Sequence, residues 1–180
     1  MPTNSFTNEA IDLETLPKYE EIPLNNPHSN YWNIICINFF ICFVIGGIVV
    51  GLGVSFIDEF KPNAILLSAL YLSFMILLFI ILRASFKKRG YAIRTRDVIY
   101  KSGIIAESTT IVPLNRIQHI ELNEGIFSRM YKLGSLQIFT AGGQTGHVKI
   151  SGIPIDEAKS IRDLLLSKLD LIQNPIKDAE

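Results

Sequence analysis

The sequence predicts a membrane α-helical hairpin of two transmembrane helices, followed by a bent antiparallel β-sheet, or partly open barrel, of six to seven strands. One C-terminal amphipathic helix is expected to cap that sheet. Three observations support this fold class: two long apolar runs without charge, alternating apolar residues from position 90, and helical apolar spacing after Pro154. The 180-residue chain has zero net charge, which argues against a strongly cationic nucleic-acid-binding protein. Its two cysteines are too few for a disulfide framework or a four-ligand zinc site.

Residues 1–30 form an acidic N-terminal arm that carries five acidic residues and one basic residue. Four prolines interrupt it, so no long helix or strand is expected there. We expect an extended, irregular segment that lies against the later β-domain, whose own sequence is net positive. Free disorder is the alternative.

Two apolar segments, 31–57 and 63–83, are each long enough to cross a bilayer. Neither contains a charged residue, apart from Arg83 at the end of the second. A helix of about 20 residues spans about 30 Å, the thickness of the hydrocarbon core. Tyr31 and Trp32 begin the first segment, and such amphipathic aromatics favour the headgroup level. The connection 58–62 is short enough to require a tight external loop, so both chain ends lie on one side. Neither span contains an ionisable side chain of the kind that lines ion or proton paths, so a channel or transporter is not expected.

A cluster of cations sets the predicted orientation. The external loop offers only Lys61, whereas four cations end the second span and form the basic juxtamembrane linker 84–89: Arg83, Lys87, Lys88 and Arg89. Positive flanks stay in the cytoplasm, so the sequence predicts a multi-pass protein of the plasma (bacterial inner) membrane with cytoplasmic N- and C-termini. These four side chains are also the candidate lipid contacts, at about 1 kcal/mol each.

Small residues in the spans indicate close helix packing. Gly47 and Gly51 form a G-x-x-x-G pair, with Gly46 one position earlier. Packing within the hairpin is the expected use, and dimerisation between molecules is the alternative.

The segment 90–172 predicts a β-domain with a helix at its end. Short alternating runs such as DVIYKSG, TTIVPL, SLQIFTA and HVKISGI are separated by glycine-containing turns, while GIFSRMYKLG reads as a loop with one helical turn. Asp156 is the expected N-cap of the final helix, and 173–180 is a tail. The apolar face of that helix is predicted to consist of Ile161, Leu164, Leu165, Leu169 and Ile172.

The run IVPLNRIQHIELNEGIFSRMYKLGSLQIFTAGG resembles the signature of the bacterial pleckstrin-homology-like (PH-like), membrane-flanked family, the YdbS-like proteins. The resemblance covers residues 31–172. It implies a PH-like fold, a plasma-membrane location and no established catalytic activity, and it supplies no ligand. Its matched positions are Val112, Pro113, Leu114, Arg116, Ile117, Gln118, His119, Gly125, Arg129, Leu133, Gly134, Leu136, Thr140 and Gly143.

Catalytic and metal sites are not expected. His119 and Glu121 share a face of one predicted strand and His147 lies on another, but their spacing is not typical of a metal site, and surface histidines are the expected outcome. The segment AGGQTG lacks the Gly-Lys-Ser/Thr ending of a phosphate loop and is interpreted as a hairpin turn. The sequence predicts no enzyme activity and no cofactor.

The candidate interaction residues are Arg116, Gln118 and His119. Arg116 follows Pro113 at a predicted strand corner, where it could bind neighbouring carbonyls or Glu124, or contact a partner. We expect Arg116 to bind these groups of its own chain rather than a partner.

Two functions remain open. The preferred one is a non-enzymatic interaction module that assembles with itself or with another membrane protein. The alternative is a sensor of an anionic lipid or a small ligand, for which the basic candidates are Arg94, Arg96 and Lys101. The expected partners are therefore the lipid bilayer and a protein, with no nucleic acid and no identified small-molecule substrate.

Overall fold

The computed structural model describes residues 22–104, 106–141 and 147–173. Its α-helices are α1 (Ser29–Phe56), α2 (Ala64–Lys87), α3 (Ile126–Met130) and α4 (Ile155–Gln173). Its strands are β1 (Gly90–Ile93), β2 (Asp97–Ser102), β3 (Ser108–Pro113), β4 (Ile117–Asn123), β5 (Leu133–Thr140) and β6 (His147–Pro154).

Helices α1 and α2 form the predicted hairpin, and both are long and apolar enough to cross a membrane. Almost none of the residues in their most apolar stretches are fully buried within the chain, unlike those of core helices in a soluble domain. The connection between them is a 3-10 turn, Asp58–Asn63, in which Lys61 pairs with Asp58 at 2.6 Å. Helix α2 continues through Lys87, so most of the predicted linker 84–89 is helical.

Gly46 and Tyr71 pack the hairpin. The Tyr71 hydroxyl donates a hydrogen bond to the Phe43 carbonyl, and a Cβ atom at position 46 would lie 2.9 Å from that hydroxyl oxygen. A Cβ at Gly51 would meet no atom within 4 Å. The close approach within the hairpin therefore depends on Gly46, one position before the predicted pair.

We expect Gly46→Ala to weaken the hairpin by about 1 kcal/mol, because the added methyl displaces the Tyr71 ring from its interhelical hydrogen bond. Gly51→Ala is the matched control and should leave stability unchanged. Thermal unfolding of both variants in detergent micelles would test this. Equal melting temperatures for the two would contradict it.

The domain after the hairpin consists of two three-stranded antiparallel sheets, in the orders β1-β2-β3 and β4-β5-β6. The described residues thus contain six strands, within the predicted range of six to seven, and the sheets do not close into a full barrel. Helix α4 follows β6 without a loop and contacts the second sheet. Its packing supplies the predicted cap.

The core lies between the sheets and α4. Its fully buried side chains include Val98, Leu136, Ile138 and Ile150 from the strands and Leu165 from the helix. Leu136 and Ile138 alternate with less buried residues along β5, as Val148 and Ile150 do along β6, which explains the period-two pattern there.

Two details predicted for α4 are wrong. The helix begins at Ile155, so Asp156 lies within its first turn, where its charge still favours the helix dipole, but it is not the N-cap. Leu164 is 46% exposed, whereas Leu165, Leu169 and the unpredicted Ala158 are buried. Positions 158, 161, 165 and 169 form one stripe at steps of three and four residues, and Leu164 lies beside that stripe. The side chain of Ile172 lies outside the described set.

Candidate interaction surfaces

The segment before α1 lies in the seam between the two sheets. Asn25 exchanges two backbone hydrogen bonds with Tyr91 of β1, at 2.7 and 2.9 Å, and the His28 amide donates to the Gly152 carbonyl of β6 at 2.8 Å. One short segment therefore pairs with an edge of each sheet. The last residues of the arm therefore contact the domain, while residues 1–21, which carry its acidic charge, lie outside the described ones, so the docking of the arm as a whole stays a prediction.

Gly152 fixes the position of α1 on the domain. Its φ is +84°, and a Cβ atom there would lie 2.7 Å from Cγ of Tyr31. Tyr31 also faces Phe86 of α2, with ring centroids 6.3 Å apart. The glycine thus lets the first turn of α1 lie directly on β6.

Trp32 and Arg83 join the two helices near the domain. The Arg83 guanidinium carbon lies 4.6 Å from the centroid of the Trp32 ring, which also contacts Phe79 and Phe86 at centroid distances of 5.6 Å. A cation over an aromatic face is a favourable electrostatic contact. Arg83, predicted as a lipid contact, therefore also contributes to helix packing.

Lys88 and Lys101 both pair with Glu107, which tethers the end of α2 to the β2–β3 hairpin. The distances from the lysine Nζ atoms to the carboxylate are 2.6 and 2.8 Å. Hydrogen bonds from Lys101 and Lys88 lower the pKa of Glu107 from 4.5 to about 2. Arg89 donates to the Ser85 hydroxyl at 3.3 Å, whereas Lys87 is exposed.

The Glu107 pairs predict an acid-sensitive junction. A carboxylate whose pKa is lower in the folded chain stabilises it above its ordinary pKa, and this contribution is lost as pH falls from about 4.5 towards 2. We expect the melting temperature to fall between about pH 5 and pH 3, and Glu107→Gln to reduce that fall.

The control for this measurement is Glu124→Gln, because Glu124 is exposed and forms no ion pair among the described residues. An unchanged pH profile for Glu107→Gln would contradict the prediction.

Two of the three basic residues proposed to bind an anionic lipid already pair with carboxylates of the same chain. Arg94 forms a bidentate pair with Asp97, and Lys101 pairs with Glu107. The side chain of Arg96 is exposed, while its carbonyl accepts a hydrogen bond from the Leu114 amide. These three cations therefore do not form a cluster of unneutralised charge.

His119, Phe139 and His147 form an aromatic row across the outer face of the second sheet. The His119 and Phe139 rings stack with centroids 4.1 Å apart, and Phe139 and His147 lie 6.1 Å apart. The three residues are direct cross-strand neighbours on β4, β5 and β6. Phe139 separates the two histidines, and no group of three or more metal-ligating residues occurs in the described part of the chain.

Phe139, the central residue of this aromatic row, was not singled out from the sequence. The alternation of Leu136 and Ile138 towards the core implies that Phe139 points to the opposite face, so a signal was present in the sequence. Its neighbours depend on strand register, which the sequence does not specify.

Gln118 lies at a β-bulge at the start of β4. Ile117 pairs with Thr140 and His119 with Phe139, which leaves Gln118 as the extra residue. The preceding Arg116 lies in a 3-10 turn, its side chain is exposed, and its carbonyl accepts a hydrogen bond from the Ala141 amide at 3.1 Å. Within the described residues there is no ion pair between Arg116 and Glu124.

The three predicted interaction residues therefore lie together where β4 begins. Among the described strands β4 pairs with β5 alone, so it is an outer strand of its sheet. The side chains of Arg116, Gln118 and His119 are exposed, and His119 connects this edge to the aromatic row. We name Arg116, Gln118, His119, Phe139 and His147 the β4 surface.

Comparison with known proteins matches most of the hairpin together with the domain. The sequence model of a family described as the bacterial PH domain matches residues 39–169. The transmembrane protein YdbS of Bacillus subtilis strain 168 is 28% identical over 123 residues, which cover 68% of this chain and 76% of YdbS. No solved structure shows significant similarity.

Proposed function

Because the chain belongs to the bacterial PH domain family, we propose that it is a non-enzymatic, membrane-anchored interaction module. Its PH-like domain binds a second copy of the chain or another membrane protein. The two apolar helices and the similarity to a transmembrane protein support its location in the membrane.

The observation that carries this proposal is the β4 surface. It combines the open edge of an outer strand with stacked aromatic side chains, of which His119 is 55% exposed. Outer strands offer unpaired backbone groups to a partner strand, and aromatic side chains supply contact area at low entropic cost. The β-bulge at Gln118 interrupts the regular geometry of β4, so a partner strand is expected to pair with the part of β4 that follows Gln118.

Because the hairpin holds the domain at the membrane, a weak affinity of the domain for its protein partner is sufficient for assembly. Only Lys88 and Arg89 separate α2 from β1, so the domain stays close to the membrane. Confinement of both partners to one surface raises their effective concentration. A partner in or on the same membrane is therefore favoured over a soluble protein.

The proposed orientation places both termini and the domain in the cytoplasm. Lys87, Lys88 and Arg89 lie at the domain end of α2, whereas the opposite loop holds Lys61 paired with Asp58. A positive excess at one end favours retention of that end in the cytoplasm.

The alternative is an anionic-lipid or small-ligand sensor. Its basic candidates Arg94 and Lys101 already have carboxylate partners, so a ligand would have to displace Asp97 or Glu107. This cost makes the sensor the second choice.

The test is cross-linking of the full chain in its native membranes, followed by purification. We expect a stoichiometric protein adduct that Phe139→Ala reduces several-fold, because the variant removes the ring on which His119 stacks. Gln137→Ala, on the same face of β5, is the matched control and should leave the adduct intact. Equal adduct from both variants, or no adduct together with headgroup-selective binding to liposomes, would overturn the proposal.

A further inference from the structure

Helix α3 exposes two large apolar side chains. Ile126 is 83% exposed and Met130 is 73% exposed, more than any other large apolar residue described outside the hairpin. They are four residues apart in α3, so they lie on the same side of the helix. Phe127 and Tyr131 are half-buried, and α3 contacts β5, which holds the helix against the domain.

The position of α3 relative to α1 suggests what covers this apolar pair. Helix α1 has 28 residues and is about 42 Å long, whereas a hydrocarbon core is about 30 Å thick. Counted back from Phe56, about 20 residues fill the core and end near Ile37. The first two turns of α1 therefore cross the headgroup layer on the domain side.

Helix α3 contacts α1, and the domain meets α1 at its first turns, where Tyr31 packs on Gly152. The contact of α3 is thus at the domain end of α1, at headgroup depth. Ile34, two positions beyond Trp32 in the direction of the bilayer, is the buried residue of α1. A surface at this depth that is apolar and exposed meets lipid before it meets a soluble partner.

The charges around α3 fit the same environment. Arg129 lies within the helix and Lys132 follows it, both exposed, while one acid, Glu124, precedes it. Long cationic side chains reach headgroup phosphates while apolar neighbours enter the acyl boundary. An exposed apolar pair with flanking cations has the side-chain chemistry of an interfacial membrane contact.

We propose that α3 inserts Ile126 and Met130 into the headgroup–acyl boundary of the leaflet on the domain side, beside α1. The domain then has a second attachment to the bilayer besides the hairpin, which fixes its tilt and directs the β4 surface. The inference depends on the helices spanning the membrane and is independent of the proposed protein partner.

The test uses the full chain with Cys36→Ala and Cys42→Ala, reconstituted in vesicles of phosphatidylcholine and phosphatidylglycerol. Single cysteines at Ile126, Met130 and Leu166 carry a polarity-sensitive fluorophore. Leu166 is the control because it is 41% exposed on α4. Lys168 of the same helix bonds the carbonyl of Thr95, which follows the end of β1 opposite to the α2 junction, so we expect this part of α4 to lie away from the bilayer. All three positions are exposed, so the substitutions should not disturb folding.

We expect the labels at positions 126 and 130 to emit at shorter wavelength and to be quenched several-fold more by lipids with a shallow spin label than the label at position 166. Iodide in the aqueous phase should quench only position 166 strongly. Equal iodide quenching at all three positions would overturn the proposal. Shielding at 126 and 130 without quenching by spin-labelled lipid would also overturn it, because it would indicate contact with protein.

Discussion

Gly152→Ala is expected to destabilise the junction between α1 and the domain by about 3 kcal/mol. The backbone at this residue has φ +84°, a conformation that costs an L-residue about 1–2 kcal/mol. The added Cβ would also lie 2.7 Å from Cγ of Tyr31, so the first turn of α1 must move off β6. Amide hydrogen exchange should show much faster exchange at His28, whose amide donates to the Gly152 carbonyl.

Gly125→Ala is the matched control for that measurement. Gly125 has φ −73°, and a Cβ atom there would meet only the Ser128 hydroxyl at 3.8 Å. Its exchange pattern and stability should therefore match those of the wild type. If Gly152→Ala left the exchange of the His28 amide unchanged, the described junction would be wrong.

Leu165→Ala is expected to cost about 2–5 kcal/mol, the range for a large-to-small change in a packed core. Leu165 is 0% exposed and belongs to the core cluster between α4 and the sheets. The loss should expand the packing between α4 and the second sheet and lower the unfolding midpoint in denaturant. Chemical denaturation of the full chain in nanodiscs, followed by circular dichroism, measures this.

The neighbouring Leu164→Ala separates packing from helix propensity. Leu164 is 46% exposed, and alanine forms helices at least as well as leucine, so its effect should be within about 0.5 kcal/mol. Similar losses for the two variants would mean that the buried stripe of α4 is assigned incorrectly.

The hairpin and the strand content could be predicted because each depends on local chemistry. A bilayer requires a long uncharged run, and a half-buried strand requires alternation, so both leave periodic signals in the sequence. The start of β1 at Gly90 follows from the onset of alternation, and the helical turn of α3 from the lack of alternation in GIFSRMYKLG. The prediction for α4 failed at Leu164, because a leucine beside the buried stripe cannot be told from a leucine within it by residue type alone.

The contacts between distant segments could not be predicted from the sequence. The bridge of Asn25 to Tyr91 is a pair of backbone hydrogen bonds and leaves no side-chain pattern. Arg83 and Trp32 are 51 positions apart, and their contact depends on the register of the two helices. Gly152 within a strand did carry a signal, since an interior glycine often marks a close backbone approach.

The candidate site likewise combines residues that could be predicted with an arrangement that could not. Arg116, Gln118 and His119 were recognised from the family resemblance, but their arrangement depends on the bulge at Gln118 and on strand pairing. Register alone places Phe139 between the two histidines. This explains why a chemical interpretation based on His119 and His147 does not correspond to a shared site.

The central claim, that the PH-like domain contacts a protein at the β4 surface, is tested most directly by photo-cross-linking in intact native membranes. A photoreactive amino acid replaces His119 in one variant of the full chain and Arg96 in another, and the adducts are identified by mass spectrometry. We predict a discrete protein adduct from position 119 and none from position 96. Lipid adducts at position 96 together with no protein adduct at position 119 would contradict the account.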